Sequence, residues 1–279
     1  MPNMYRFGLL MTMVVLVVTS FAPAAMGAWE LVLDEQFQDP ATFGDRWIFE
    51  EGFRRNKELQ YYIPGLGKNA VVGPEGITIT AKKQYVLNSR YSEGNKYWQK
   101  AWASGEYTSA SLKSKEYSIR NSKVEVVVRT PEGQGLWPAI WLAGERKDMY
   151  GEIDLMEIVG QKPNLVYSSI HMGLKVTGRT IKQVKNVFPN VAGNETTCVV
   201  ELKPDTITLY VNDTEVLWED RNAYDSTGRV QPLQQSFRLI LNLALGGMAK
   251  ELDEGVLPAS YTIKSVRIWN WVPDSSTLK

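Results

Sequence analysis

Along much of the chain, hydrophobic and polar positions alternate with a period of two. Gly76-Ile77-Thr78-Ile79-Thr80-Ala81 sets its apolar residues two apart, and Thr206-Ile207-Thr208-Leu209-Tyr210-Val211 repeats the pattern. Lys123-Val124-Glu125-Val126-Val127-Val128-Arg129 is strand-like in the same way. Successive side chains of a strand point to opposite faces, so these runs predict strands with one buried face. After Val211 come the polar pair Asn212-Asp213 and a second short run, Glu215 to Trp218, which together predict a hairpin. Ser236 to Leu245 is nearly continuous apolar, as a strand covered on both faces would be. Tyr261 to Trp269 is predicted as the last strand. No segment carries three turns of an amphipathic helix. Strands separated by Gly, Pro and Asn turns predict an all-β fold, a two-sheet antiparallel β-sandwich of the jelly-roll kind.

One stretch breaks the alternation. In Gly151-Glu152-Ile153-Asp154-Leu155-Met156-Glu157-Ile158, Glu152 and Asp154 share a face, opposite Ile153 and Leu155. Strict alternation would then put Glu157 in the apolar core, where an unpaired carboxylate is costly. One extra residue at Leu155-Met156, a β-bulge, returns Glu157 to the face of the other two acids. Glu152 and Glu157 are then about 13 Å apart at Cα, at about 3.3 Å per step, and their side chains can lean together. Carboxyl groups about 5–5.5 Å apart suit a retaining glycosidase. Three carboxyl groups on one face cannot all ionise cheaply, so at least one is expected to hold its proton more tightly. The bare spacing also fits a solvated acidic strand face, and the flanking residues separate the two readings.

Composition narrows the class. The 279 residues hold 31 acidic and 31 basic side chains. That balance lacks the basic footprint of a nucleic-acid binder. Hydrophobic residues make up 44%, too many for a disordered chain. Nine Trp and thirteen Tyr are divided between an aromatic core and surfaces on which the apolar face of a pyranose can stack. Arg6, the apolar run Phe7 to Val18 and the small residues of Ala25-Met26-Gly27 predict a signal peptide over residues 1–27. Residues 28–279 are then one secreted, extracellular domain with no membrane attachment after cleavage. The lone Cys198 allows no internal disulfide and reads as a small buried hydrophobe. Asn194-Glu195-Thr196 and Asn212-Asp213-Thr214 are glycosylation sequons for a eukaryotic secretory route.

The acidic stretch follows Gly135-Leu136-Trp137-Pro138-Ala139-Ile140-Trp141-Leu142 and precedes Ser169-Ile170-His171. Further landmarks are Asn56-Lys57-Glu58-Leu59-Gln60-Tyr61-Tyr62, Tyr107-Thr108-Ser109 and Leu241-Asn242-Leu243-Ala244-Leu245-Gly246-Gly247. With these in order, the sequence resembles glycoside hydrolase family 16 in its laminarinase (endo-β-1,3-glucanase) branch, over nearly all of the chain after residue 27. The resemblance implies a curved sandwich with a concave substrate cleft. It implies Glu152 as nucleophile, Asp154 as its assistant and Glu157 as acid/base. It also implies Trp137 and Trp141 as sugar-stacking plates, His171 as a contact near the leaving group, and Asn56 and Glu58 at the glycone end. Asn242, in a buried strand, either bonds a neighbour or faces the cleft. No metal or organic cofactor is expected. The partner is a β-glucan polysaccharide, acted on by a monomer.

Departures from the family pattern touch the sugar more than the chemistry. Asp148-Met149 stand where Trp-Pro is usual, Arg54 where a Trp is common, and Ser111 where an Arg is usual. Arg54 is therefore added to the expected substrate contacts. Lys264 replaces an aspartate that often helps to bind calcium. The rival readings are a family member acting on a galactan and a non-catalytic β-glucan recognition protein. The retained carboxylates weigh against the second.

Overall fold

The computed structural model describes residues 27–115, 118–174, 178–189 and 191–273. The expected signal peptide lies outside the described residues, apart from Gly27. The strands are β1 (Gly27–Glu35), β2 (Trp47–Phe49), β3 (Gln60–Tyr62), β4 (Ala70–Gly73), β5 (Gly76–Leu87), β6 (Ser104–Ser109), β7 (Ser111–Ser114), β8 (Ser122–Arg129) and β9 (Leu136–Gly144). They continue as β10 (Met149–Ile158), β11 (Leu165–Leu174), β12 (Gly178–Val187), β13 (Glu195–Leu202), β14 (Thr206–Val211), β15 (Thr214–Asp220), β16 (Phe237–Leu245) and β17 (Ala259–Pro273). One sheet has ten strands in the order β15-β14-β13-β8-β17-β5-β6-β3, with β1 on β17 and β4 on β5. The other has seven, in the order β12-β11-β10-β9-β16-β7-β2. Pairing is antiparallel except between β3 and β6. This is the all-β, two-sheet jelly-roll sandwich the alternation predicts.

The local reasons hold strand by strand. In β8, Val124, Val126 and Val128 are fully buried while their neighbours are not. The hairpin β14–β15 turns on Asn212 and Asp213, at φ 46° and 61°, a left-handed conformation that short polar side chains tolerate. In β16 every residue but Arg238 is buried. The strands β5 and β17 run beyond the segments their alternation predicts, because ladder pairing with β6 and β1 holds the extra residues. Helices among the described residues are short, with four residues at Phe43–Arg46 and four at Trp98–Ala101. None is long and apolar enough to cross a membrane.

The core fills the space between the sheets. Ile140 and Leu142 of β9 and Ile153, Leu155, Met156 and Ile158 of β10 meet Val124, Val126, Cys198, Val200 and Ile263 from the facing sheet. Fully burying one such aliphatic side chain contributes about 1.5–3 kcal/mol. Burial also pushes the Cys198 thiol up to about 12, which keeps it protonated and inert. The bulge in β10 is present. Asp154 pairs with Trp141 and Met156 with the adjacent Ile140, so Leu155 is the extra residue. On the other side, Asp154 faces Ser169 and Glu157 faces Tyr167. Leu155 and Met156 both enter the core, and Glu157 returns to the opposite face.

Candidate active site

The outer face of β9, β10, β11 and β16 forms an open cleft. Its lining includes Arg55, Asn56, Glu58, Trp137, Trp141, Glu152, Asp154, Glu157 and Asn242, with Tyr150, His171, Gln183 and Met248 continuing it on one side. In register, Glu152 stands opposite His171 and Asp154 opposite Ser169. The His171 Nε2 is 3.0 Å from Asp154 Oδ2 and 3.7 Å from Glu152 Oε1. The Tyr150 hydroxyl donates to Glu152 Oε2 at 2.7 Å. The indole of Trp137 donates to Glu157 Oε1 at 3.1 Å.

The electrostatics of Glu157 are one-sided. Burial raises its proton affinity well above the usual carboxylate range, and the charges of Asp154 and Glu152 raise it further. His171 and the Trp137 hydrogen bond oppose the shift and do not cancel it. Glu157 is therefore the group that keeps a proton as pH rises toward neutral. Glu152, Asp154 and His171 each bring one ligand atom within 4.8 Å of the others, a spacing a cation could use. The imidazole–carboxylate hydrogen bond already accounts for that closeness.

The far wall of the cleft is held differently. Arg55 grips Glu50 with two hydrogen bonds, at 3.0 and 2.7 Å. Arg54 reaches the same carboxylate at 3.1 Å, and the Ser111 hydroxyl at 2.7 Å. Both guanidiniums on Glu50 thus come from its own loop, and Ser111 adds a hydroxyl. Burial alone would raise the Glu50 pKa, but Arg55, Ser111 and Arg54 together hold it down at about 2. The Arg55 guanidinium also lies 4.9 Å from the Trp141 ring centroid, close enough for cation–π attraction. A chain of hydrogen bonds runs on behind it. Trp141 donates to Asn242 Oδ1 at 2.8 Å, and Asn242 donates to the Tyr62 hydroxyl at 3.1 Å. Tyr62 reaches Glu58 at 3.5 Å, and Gln60 donates to Glu58 at 2.8 Å. Burial raises the Glu58 pKa, with Arg55 opposing.

Nine of the ten residues expected from sequence therefore line one cleft: Glu152, Asp154, Glu157, Trp137, Trp141, His171, Asn56, Glu58 and Asn242. Asn242 does both things considered for it, bonding neighbours and lining the cleft. Arg54 lies elsewhere, in a separate depression with Phe53 and Tyr97, and Arg55 takes the cleft position. The reason is local. Asn56 and Lys57 both have left-handed backbone, at φ 53° and 52°, and this tight turn lies outside strand alternation. Sequence reasoning also missed Tyr150, Gln183 and Glu50. Tyr150 was readable, two residues before Glu152 and hence on its face. Trp137 is only 8% exposed, so most of that ring is packed rather than open. Lys264 ion-pairs with Glu195, both on the ten-stranded sheet away from the cleft.

Glycoside hydrolases do acid–base work with a pair of carboxyl groups facing an open cleft, and the fold and cleft put this protein in that class. The profile described as glycosyl hydrolases family 16 matches residues 61–262, and the chain belongs to that family. A glucan endo-1,3-beta-glucosidase of Cryptopygus antarcticus is 27% identical, across 90% of this chain and 96% of the relative. The laminarinase structure from Rhodothermus marinus superposes with TM-score 0.71 at 28% identity, covering 88% of this chain and 99% of that one. A structure from work on endo-acting O-glycanases of the human gut microbiota, which initiate mucin breakdown, gives 0.79 at 28% identity, covering 89% and 94%.

Proposed function

We propose that the protein is a retaining endo-glycosidase that hydrolyses β-1,3-glucan, with mixed-linked β-1,3/1,4-glucan as a further substrate. The observation that carries the chemistry is the bulged β10, with Glu152, Asp154 and Glu157 on one face and Glu157 biased toward its protonated form. In this reading Glu157 gives its proton to the departing glycosidic oxygen while Glu152 attacks the anomeric carbon, forming a glycosyl-enzyme ester. The Glu157 carboxylate then takes a proton from water, the water oxygen attacks the anomeric carbon, and Glu152 leaves as carboxylate. The Tyr150 hydroxyl holds Glu152 in place, and His171 holds Asp154. Asn56, Glu58, Trp141 and Asn242 contact the glycone. The glucan assignment draws on the similarity to glucan-cleaving relatives. Secretion after loss of residues 1–27, and action as a monomer, belong to the same proposal.

Incubation with laminarin, lichenan, agarose and carrageenan, with reducing ends measured, tests it. Release from laminarin is expected, and no release from any glucan would overturn the substrate. Release from agarose or carrageenan alone would move the substrate to a galactan. Early product anomers followed by NMR should be β; an initial α-anomer would overturn retention.

A further inference from the structure

Beside the cleft lies a second depression that the proposed chemistry does not use. Phe53, Arg54, Arg90, Tyr97, Gln99 and Lys100 line it. Three of these carry positive charge and none carries negative charge. The buried acid that Arg54 touches, Glu50, is already held by Arg55 through both oxygens and by Arg54 through one. Two guanidiniums on one carboxylate leave an excess of positive charge. The neighbouring Glu51 accepts from the Tyr61 and Ser89 hydroxyls. Among the described residues Arg90 and Lys100 form no ion pair, whereas Arg54 and Arg55 both pair with Glu50.

The walls are fixed in place. Residues 88–103 join β5 to β6, and the Asn88 amide spans the loop, donating to the carbonyls of Gln99 and Trp102 at 2.9 and 2.7 Å. Gln99 donates to the Arg54 carbonyl at 3.4 Å. The rings of Phe53 and Trp102 meet edge to face at 5.1 Å, and those of Trp98 and Trp102 at 4.9 Å. Above this floor Tyr97 is 58% exposed, and the Lys96 ammonium lies 5.1 Å from the centroid of its ring, adding a further positive charge at the rim. The depression also adjoins the cleft. Arg54 and Arg55 are consecutive and share Glu50, and one lines the depression while the other lines the cleft.

We propose that this depression is an additional sugar subsite for a unit that bears an anionic substituent, a sulfate ester or a carboxylate, on the same polysaccharide that the cleft holds. Guanidinium groups bind such oxyanions in paired hydrogen bonds, and Lys100 adds a point charge. Tyr97 supplies the plate for the sugar ring. The subsite rests on the glycosidase reading of the cleft, but its occupancy is measurable without turnover.

The test uses the full-length Glu152→Gln protein and calorimetric binding of laminarin, sulfated laminarin and carboxymethylated laminarin. At low salt, at least one anionic derivative should bind about tenfold more tightly than its parent, and the advantage should fade as salt screens it. In Arg90→Gln/Lys100→Gln on that background the advantage should vanish while laminarin affinity stays unchanged. The same pair of substitutions in the wild-type enzyme should leave laminarin turnover unchanged. A gain with the sulfated probe alone assigns a sulfate ester, and a gain with both admits a carboxylate. Equal affinity for all three probes would overturn the subsite, as would an advantage that survives the double substitution. Lys100→Gln alone, judged by the same difference, replaces the double variant if that one does not fold. Failure of the wild-type enzyme to cleave laminarin would strike the cleft reading only, because the subsite is judged on the difference between derivative and parent.

Discussion

Glu157 lines the cleft and Glu50 lies behind its Arg55 wall; both carry a burial penalty, and their surroundings drive them in opposite directions. Glu157 has burial and two like charges against it, so it holds its proton. Glu50 carries a burial penalty too, but two guanidiniums and a hydroxyl overcome it and hold its pKa at about 2. Burial therefore does not decide the state of an acid; the sign of its neighbours does. An acid crowded by acids is ready for proton transfer. An acid clamped by arginines is a fixed part of the wall, and here it positions the guanidinium that lies on Trp141.

The comparison can be tested hardest at the acidic wall. Glu152→Gln should lower turnover on laminarin by about 10⁴-fold or more, as expected when a covalent nucleophile is removed from a set acting as a unit. Glucan binding should survive, and substantial residual turnover would show that the nucleophile is misassigned. Glu157→Gln should cost about 10²–10⁴-fold in turnover; an activated phenyl-type leaving group, which needs little protonation, should restore kcat/KM, while kcat stays low because hydrolysis of the glycosyl-enzyme still lacks its base.

Stability should separate the two glutamates by sign. Glu50→Gln leaves Arg55 buried without its partner, a loss of about 3–5 kcal/mol readable by urea unfolding. Its folded pKa lies below the unfolded value, so its stabilisation is complete above about pH 4.5 and fades as pH falls toward about 2. For Glu157 the folded pKa lies above the unfolded value. Its contribution is complete below the unfolded pKa and is lost as pH rises through the folded one. At neutral pH, Glu157→Gln should therefore unfold no more easily than the parent, and the gap between the variants should narrow in acid. Equal destabilisation at pH 7 would break the contrast.

The smallest effect is expected at Tyr150. A hydrogen bond to a charged group contributes about 1.5–3 kcal/mol, so Tyr150→Phe should slow turnover by about 10–100-fold. The loss should fall on kcat more than KM, since Tyr150 steadies Glu152 rather than the sugar. An unchanged kcat would remove that role.

The two walls also differ in how far they can be read from sequence. The acidic wall is written within six residues, and alternation with a rule against buried charge is enough to infer even its bulge. The strands are legible for the same reason, because their period is local. The opposite wall is assembled over long separations. Glu50 meets Ser111 across 61 positions, Trp141 meets Asn242 across 101, and Asn242 meets Tyr62 across 180. No local pattern encodes such meetings, and the choice of Arg55 over Arg54 depends on a turn that periodicity does not see. What could be inferred there came from family motifs at Asn56, Glu58 and Asn242.

The bulge at Leu155 has a consequence for how this strand can vary in length. Everywhere else in β10, losing or gaining one residue would turn one half of the strand inside out, sending acids into the oil and leucines into water. At Leu155-Met156 the two residues already count as one step. Removing either would leave every remaining side chain on its present face and only bring Glu157 nearer to Asp154. The bulge is thus the one joint in the strand where chain length is free to change by one without a change of meaning.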